Sequence, residues 1–176
     1  MDKEENKPMN LDEKVAQTFS MSETVWEKHA NPWSVWTRTT VLPLVVIAIW
    51  SRAWFGWWSL ILVAIAILWA WLNPRLFKKP ASTNNWASKA VLGERVWINR
   101  DRVPVPQHHC QMPNLLNFLS ATGLPFLIWG ELVFNVWSIS LGACLVYCGK
   151  FWFLDRMVWL YDEMKNATPE YQRWLY

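Results

Sequence analysis

The sequence predicts an all-α polytopic membrane protein, with four transmembrane helices as two helical hairpins and short interfacial helices between them. Three observations carry this: four apolar runs almost clear of charge, tryptophans bordering those runs, and lysine and arginine gathered on one side of them. A mean hydropathy near zero hides the pattern, because it averages a polar third of the chain against the apolar runs.

From Thr39 to Leu72 the only charged side chain is Arg52, and from Leu115 to Gly149 it is Glu131. Each stretch of roughly 35 residues has the length for two crossings of a ~30 Å hydrocarbon core at about 1.5 Å per residue. A charge at mid-bilayer costs about 2.5 to 3.5 kcal/mol on insertion scales, so this clearance is itself a signal. The tryptophans agree: Trp33, Trp36, Trp69, Trp71, Trp152 and Trp159 fall at one end of the runs, and Trp50, Trp54, Trp57, Trp58, Trp129 and Trp137 at the other. Indole rings favour the headgroup zone, where the N–H stays wet and the ring lies in hydrocarbon.

Of the 17 Lys and Arg, five lie at or before Arg38, seven between Arg75 and Arg102, and four from Lys150 onward. Arg52 alone lies on the other side. Cytoplasmic loops carry the cationic excess, so both termini are expected in the cytoplasm of a cell with this protein in its inner or plasma membrane.

Taken in order, residues 1–32 read as a cytoplasmic tail and an interfacial helix. Asn10 is placed to cap a short helix with Leu11, Val15 and Phe19 on one face, and Ser20 and Glu23 have capping-box spacing before Trp26, His29 and Trp33. The charged, mixed-sign start Met1 to Pro8 has no apolar signal region, so the first span is expected to direct insertion. Residues 33–72 form the first hairpin, Trp33 to Ser51 and Phe55 to Leu72, joined by a tight outer turn at Arg52 to Gly56 and ended by Asn73-Pro74. Residues 73–114 form a cytoplasmic loop. Asn84 or Asn85 caps an interfacial helix with Trp86, Ala90, Gly93 and Trp97 on one face, and the proline-rich stretch Arg100 to Pro106 reads as extended, with a short hairpin at Asn99 to Asp101 as an option.

Residues 115–153 form the second hairpin, Leu115 to Glu131 and Val136 to Phe153. Residues 154–176 continue the last helix into a cytoplasmic tail, with no breaker before Pro169. Pro43 and Pro125 are expected to bend their helices, since each removes a backbone N–H. Thr40-Val-Leu-Pro43 recurs as Thr122-Gly-Leu-Pro125, which reads either as a duplicated hairpin or as chance likeness between apolar segments.

The motifs Asn31-Pro-Trp-Ser-Val-Trp-Thr-Arg38, Leu72-Asn-Pro-Arg-Leu-Phe77, Val91-Leu-Gly-Glu-Arg-Val-Trp97 and Phe151-Trp-Phe-Leu-Asp-Arg-Met-Val-Trp-Leu-Tyr-Asp162 together span most of residues 26 to 163. The set resembles a family of small prokaryotic integral membrane proteins known only as a domain of unknown function. The resemblance implies a prokaryotic cell membrane and carries no activity, substrate or cofactor.

The densest polar set lies on the cytoplasmic side: His29, Arg38, Arg75, Glu94, Arg95, Asp155, Arg156 and Asp162. Arginines beside aromatic rings suit lipid phosphates or a partner protein, while ion pairs such as Glu94 with Arg156 or Arg95 with Asp155 explain the same residues structurally. Ser138, Gly142 and Gly149 share the face of the last helix opposite Cys144 and Cys148. Small residues there permit close helix contact, within the bundle or across a homodimer. The cysteines read as packing residues. Arg52 and Glu131 are placed to pair across the outer turns.

His29, His108, His109 and Cys110 are the nitrogen and sulfur donors on the inner side. Neighbours in an extended chain point opposite ways, so no metal site and no cofactor are expected from the spacing. Nucleic acid is not a predicted partner, because the aromatics are assigned to the bilayer interface. The reading that follows is a non-enzymatic membrane module that binds lipid or a partner protein. Its alternatives are a lipid-modifying or metal-dependent redox enzyme using these histidines, and a small dimeric transporter coupled through Glu131.

Overall fold

The computed structural model describes residues 22–176, and the described residues form helices and loops with no strand. The expected capping helix from Asn10 and the Ser20 capping position lie outside them. In chain order the helices are α1 (Glu23–His29), α2 (Pro32–Arg38), α3 (Val41–Trp50), α4 (Arg52–Phe55), α5 (Ser59–Leu76), α6 (Trp86–Ile98), α7 (Gln111–Val133), α8 (Val136–Met164) and α9 (Pro169–Arg173). Three stretches are long and apolar enough to cross a membrane: Pro32–Leu76, Gln107–Val133 and Val136–Met164.

Local chemistry sets the boundaries. Asn31 caps α2 by accepting from Trp33 N at 2.9 Å, with Pro32 supplying the fixed φ of a first helical turn. Asn85, Asn135 and Thr168 do the same for α6, α8 and α9, accepting from the backbone N–H of Ser88, Ser138 and Tyr171. The first apolar stretch is broken between α2 and α3, where the hydroxyls of Thr39 and Thr40 donate to the carbonyls of Trp36 and Thr37. It reverses at Gly56, whose φ of 54° and ψ of −130° suit only a residue without Cβ. Beyond that turn α5 lies back along α2 and α3: Trp69 Nε1 donates to Thr40 Oγ1 at 3.1 Å and Asn73 Nδ2 to Thr37 Oγ1 at 2.7 Å. Pro74 does not end α5 outright, and the helix runs on two residues to Leu76.

α7 and α8 pack antiparallel at backbone distance. A Cβ on Gly142 would stand 2.7 Å from the Gly123 carbonyl oxygen, and one on Gly149 would stand 2.7 Å from that of Leu116. Gly142 and Gly149 are therefore spent inside this pair, with Ser138 half-buried beside them. Cys144 and Cys148, expected as packing residues, are exposed instead, because the small-residue face of α8 takes the contact with α7.

The main core sits at one end of the molecule, away from the exposed apolar faces that carry Ile47, Ile65, Phe118, Ile128 and Trp137. α6 crosses the C-terminal half of α8, and Ala90, Leu92, Val96 and Trp97 interlock with Phe153, Leu154, Met157, Leu160, Tyr161 and Tyr171. The expected interfacial helix is thus a core helix. Gly93 is the reason: any Cβ there would overlap the Met157 backbone, so glycine lets the two helices touch main chain to main chain. His29 and Ala30 are also buried at the end of α1, tied down by Ser88 Oγ, which donates to Ala30 O at 2.6 Å. Residues 99–101 and 107–109 form 3-10 turns where extended chain or a hairpin was expected, the second turn following Pro106.

Candidate functional site

The polar set that the sequence reading expects on the cytoplasmic side divides by partner rather than forming one cluster. Four of its members do not line the cavity described below. Arg75 lies over the Trp71 ring and donates to the Trp71 carbonyl on the surface of α5. Arg95 pairs through both guanidinium nitrogens with Glu23, reaches Glu170 at 3.5 Å and stacks on Trp174. Asp155 accepts from Trp86 Nε1 at 3.0 Å, and Asp162 pairs with Lys89 at 2.9 Å. The expected pairs Glu94 with Arg156 and Arg95 with Asp155 are not made, because α6 crosses α8 where it offers Glu94 to Lys150, at 2.6 Å and six residues earlier.

The remaining residues converge. A cavity of about 310 Å³ opens between α3, α6 and α8, with Arg38, Glu94, Lys150 and Tyr147 among apolar walls that include Val45 and Leu154. Arg38 places Nη2 against the ring of His29, touching Nε2 and standing 3.2 Å from Nδ1. His29 is 2% exposed, and burial, then Arg38 and Lys150, hold its pKa well below the ordinary imidazole value. It is neutral, and a neutral ring receives a guanidinium N–H on Nε2 only if Nδ1 carries the proton.

That assignment makes every link behind it consistent. Nδ1 faces Ser34 Oγ at 3.4 Å, Ser34 donates to Asn73 Oδ1 at 3.1 Å, Asn73 Nδ2 donates to Thr37, and Thr37 donates to the Trp33 carbonyl at 2.6 Å. The chain runs one way, from the Arg38 cation to a backbone carbonyl, and gives each buried polar atom a partner. Ser34 and Asn73 are fully buried, so the network fixes the end of α5 against α2 while it fixes Arg38. Glu94 is pulled in two directions: burial pushes its pKa up, and Lys150 with Arg38 outweigh this and leave it below the usual carboxylate range. With His29 neutral, two cations face one carboxylate and the cavity keeps one positive charge.

Of these residues the sequence marked His29, Arg38 and Glu94. It missed Lys150, Tyr147, Ser34, Thr37 and Asn73. Asn73 reads from the sequence as a helix stop, although an amide at the end of an apolar run signals a buried partner.

Elsewhere, Arg52 and Glu131 meet as expected at 3.4 Å, with Arg52 also donating to the Glu131 carbonyl and lying over the Phe134 ring. His108 and His109 sit together beside Glu163 and Arg156, and neither His29 nor Cys110 joins them.

The fold and this site define an all-helical protein with three stretches able to cross a membrane and a charged, apolar-walled cavity at the end where its core lies. Comparison with known families places it: the chain belongs to a family of unknown function (DUF6653), which matches residues 10–174. No curated protein and no solved structure matches it.

Proposed function

We propose that this is a four-span protein of a prokaryotic cell membrane, with both termini cytoplasmic, that holds an anionic lipid in the cavity between α3, α6 and α8. The reversal at Gly56 supports counting Pro32–Leu76 as two crossings, and the lopsided Lys and Arg distribution supports the orientation. The observation that carries the lipid reading is Arg38, a cation immobilised by a neutral buried base at the mouth of an apolar cavity.

A guanidinium binds phosphate or carboxylate through parallel N–H donors, and holding it in place beforehand lowers the ordering cost of binding. Lys150 adds a second donor, and Glu94 orients it. The apolar wall suits an acyl chain. Binding rather than turnover is the better fit, since both nitrogens of His29 are engaged and leave it no free lone pair to act as a base.

Native mass spectrometry of the purified protein tests this with phosphatidylglycerol, phosphatidylcholine and inorganic phosphate as separate additions. The anionic lipid should be retained in preference to the zwitterionic one, and Arg38→Gln should weaken it by about tenfold or more. Equal retention of both lipids, or an unchanged Arg38→Gln variant, overturns the reading. Phosphate binding as tight as the lipid would remove the acyl chain from it.

A further inference from the structure

A second polar cluster lies on the other side of α8, and nothing in the lipid reading uses it. His108 and His109 belong to the 3-10 turn Gln107–His109, closed by His109 N donating to Pro106 O at 2.9 Å. A 3-10 turn advances neighbouring side chains by about a third of a turn, whereas an extended chain sets them on opposite sides. The two imidazoles consequently stand side by side, ring centroids 4.4 Å apart. α8 runs on to Met164 and brings Glu163 to them, so that both Nε2 atoms are 3.0 Å from the same oxygen, Oε2.

Zinc binds His nitrogen and carboxylate oxygen at about 2.0 to 2.2 Å in tetrahedral sites, which puts its ligand atoms roughly 3.3 to 3.5 Å from one another. The three residues offer donor atoms that all lie within 4.8 Å of one another, and the two 3.0 Å nitrogen–oxygen distances need open by only a few tenths of an ångström to reach that spacing. Two imidazoles crowding one carboxylate oxygen are a poor use of an acceptor with two oxygens, and a natural arrangement around a cation. His109 is buried, which limits its freedom to turn away.

The surroundings say what kind of site it would be. A cavity of about 240 Å³ adjoins the three donors, with Met112, Trp159 and Arg156 on its wall. Arg156 lies over the Trp159 ring, and its Nε is buried without a hydrogen-bond partner among the described residues. Three protein ligands beside an open space is the pattern of a metal that takes an external fourth ligand, whereas structural zinc sites close all four positions. A divalent ion with one carboxylate keeps a positive charge, and Arg156 adds another, so that ligand would be anionic.

We infer that His108, His109 and Glu163 form a zinc-type divalent metal site whose open position faces the Arg156 cavity and accepts an anionic ligand. The site is independent of the lipid cavity and stands or falls separately. Cobalt(II) tests it as a coloured stand-in: protein stripped with a chelator in detergent is titrated with Co2+ and followed in the visible, then challenged with Zn2+. One Co2+ per chain with a visible band displaced by Zn2+ is expected, weakened by at least about tenfold in His108→Ala and in Glu163→Gln. Both residues are solvent-exposed, so these variants should keep the wild-type far-UV circular dichroism. No band in the wild-type protein, or one unchanged in both variants, overturns the proposal.

Discussion

The Tyr147 hydroxyl donates at 2.6 Å to the carbonyl of Thr39, the carbonyl that Pro43 leaves without its helical donor. One residue creates the vacancy and another, more than a hundred positions away on α8, fills it. Tyr147→Phe should therefore destabilise the protein by about 1 to 2 kcal/mol, the usual cost of a carbonyl left unpaired away from water. Pro43→Ala restores an N–H four residues on, so the double variant should recover much of that loss. Equilibrium unfolding of the four proteins in mixed micelles measures the coupling, and strict additivity would mean the two features are unrelated.

His29 predicts an acid sensitivity with a definite sign. Its folded pKa lies well below its ordinary value of 6.5, so the unfolded chain takes up a proton first as pH falls. Stability should drop from about pH 6.5 downward by up to ~1.4 kcal/mol per unit. Glu94, depressed from 4.5, contributes stability above that pH and loses it only in more acid solution. His29→Gln should flatten the stability profile between pH 6.5 and 5 and leave the lower limb in place. A wild-type profile that is already flat there would show that His29 is not held neutral.

Gly93 faces the Met157 backbone with no room for a methyl group. Gly93→Ala must push α6 off α8 at the centre of the core, at a cost of about 1 to 3 kcal/mol or more. Ala90→Gly, on the same helix, should cost less, near the ~1 kcal/mol of helix propensity together with a lost methyl. Thermal unfolding ranks the two, and a tolerated Gly93→Ala would mean that this close approach is not tight.

Side-selective labelling tests the four-span topology. With Cys110, Cys144 and Cys148 replaced by serine, Trp57→Cys in the turn after Gly56 should react with an impermeant thiol reagent in intact cells. Lys79→Cys should react only after permeabilisation. Reaction of both from outside would remove the second crossing from Pro32–Leu76 and, with it, the cytoplasmic place of the cavity.

Some of the site was readable without coordinates. His29, Arg38 and Glu94 are legible as members of the dense polar set on the cation-rich side of the apolar runs. Their partners are not, since Ser34, Thr37 and Asn73 look like ordinary helix-end residues until the chain reverses at Gly56 and sets α5 on α2. The side-by-side placement of His108 and His109 is not legible for a local reason: the prolines before them favour extended chain, and the structure forms a 3-10 turn there.

By itself, the sequence determined the helical class, which stretches are apolar enough for a membrane, and where the charge collects. Caps, prolines and hydropathy act over a few neighbouring residues, so they can be read in order along the chain. Only the tertiary structure decided that α6 is buried on α8, that Lys150 rather than Arg156 meets Glu94, and that Glu163 reaches the two histidines. Those outcomes depend on crossing angle and on side chains more than fifty residues apart, and no local property of the chain specifies either.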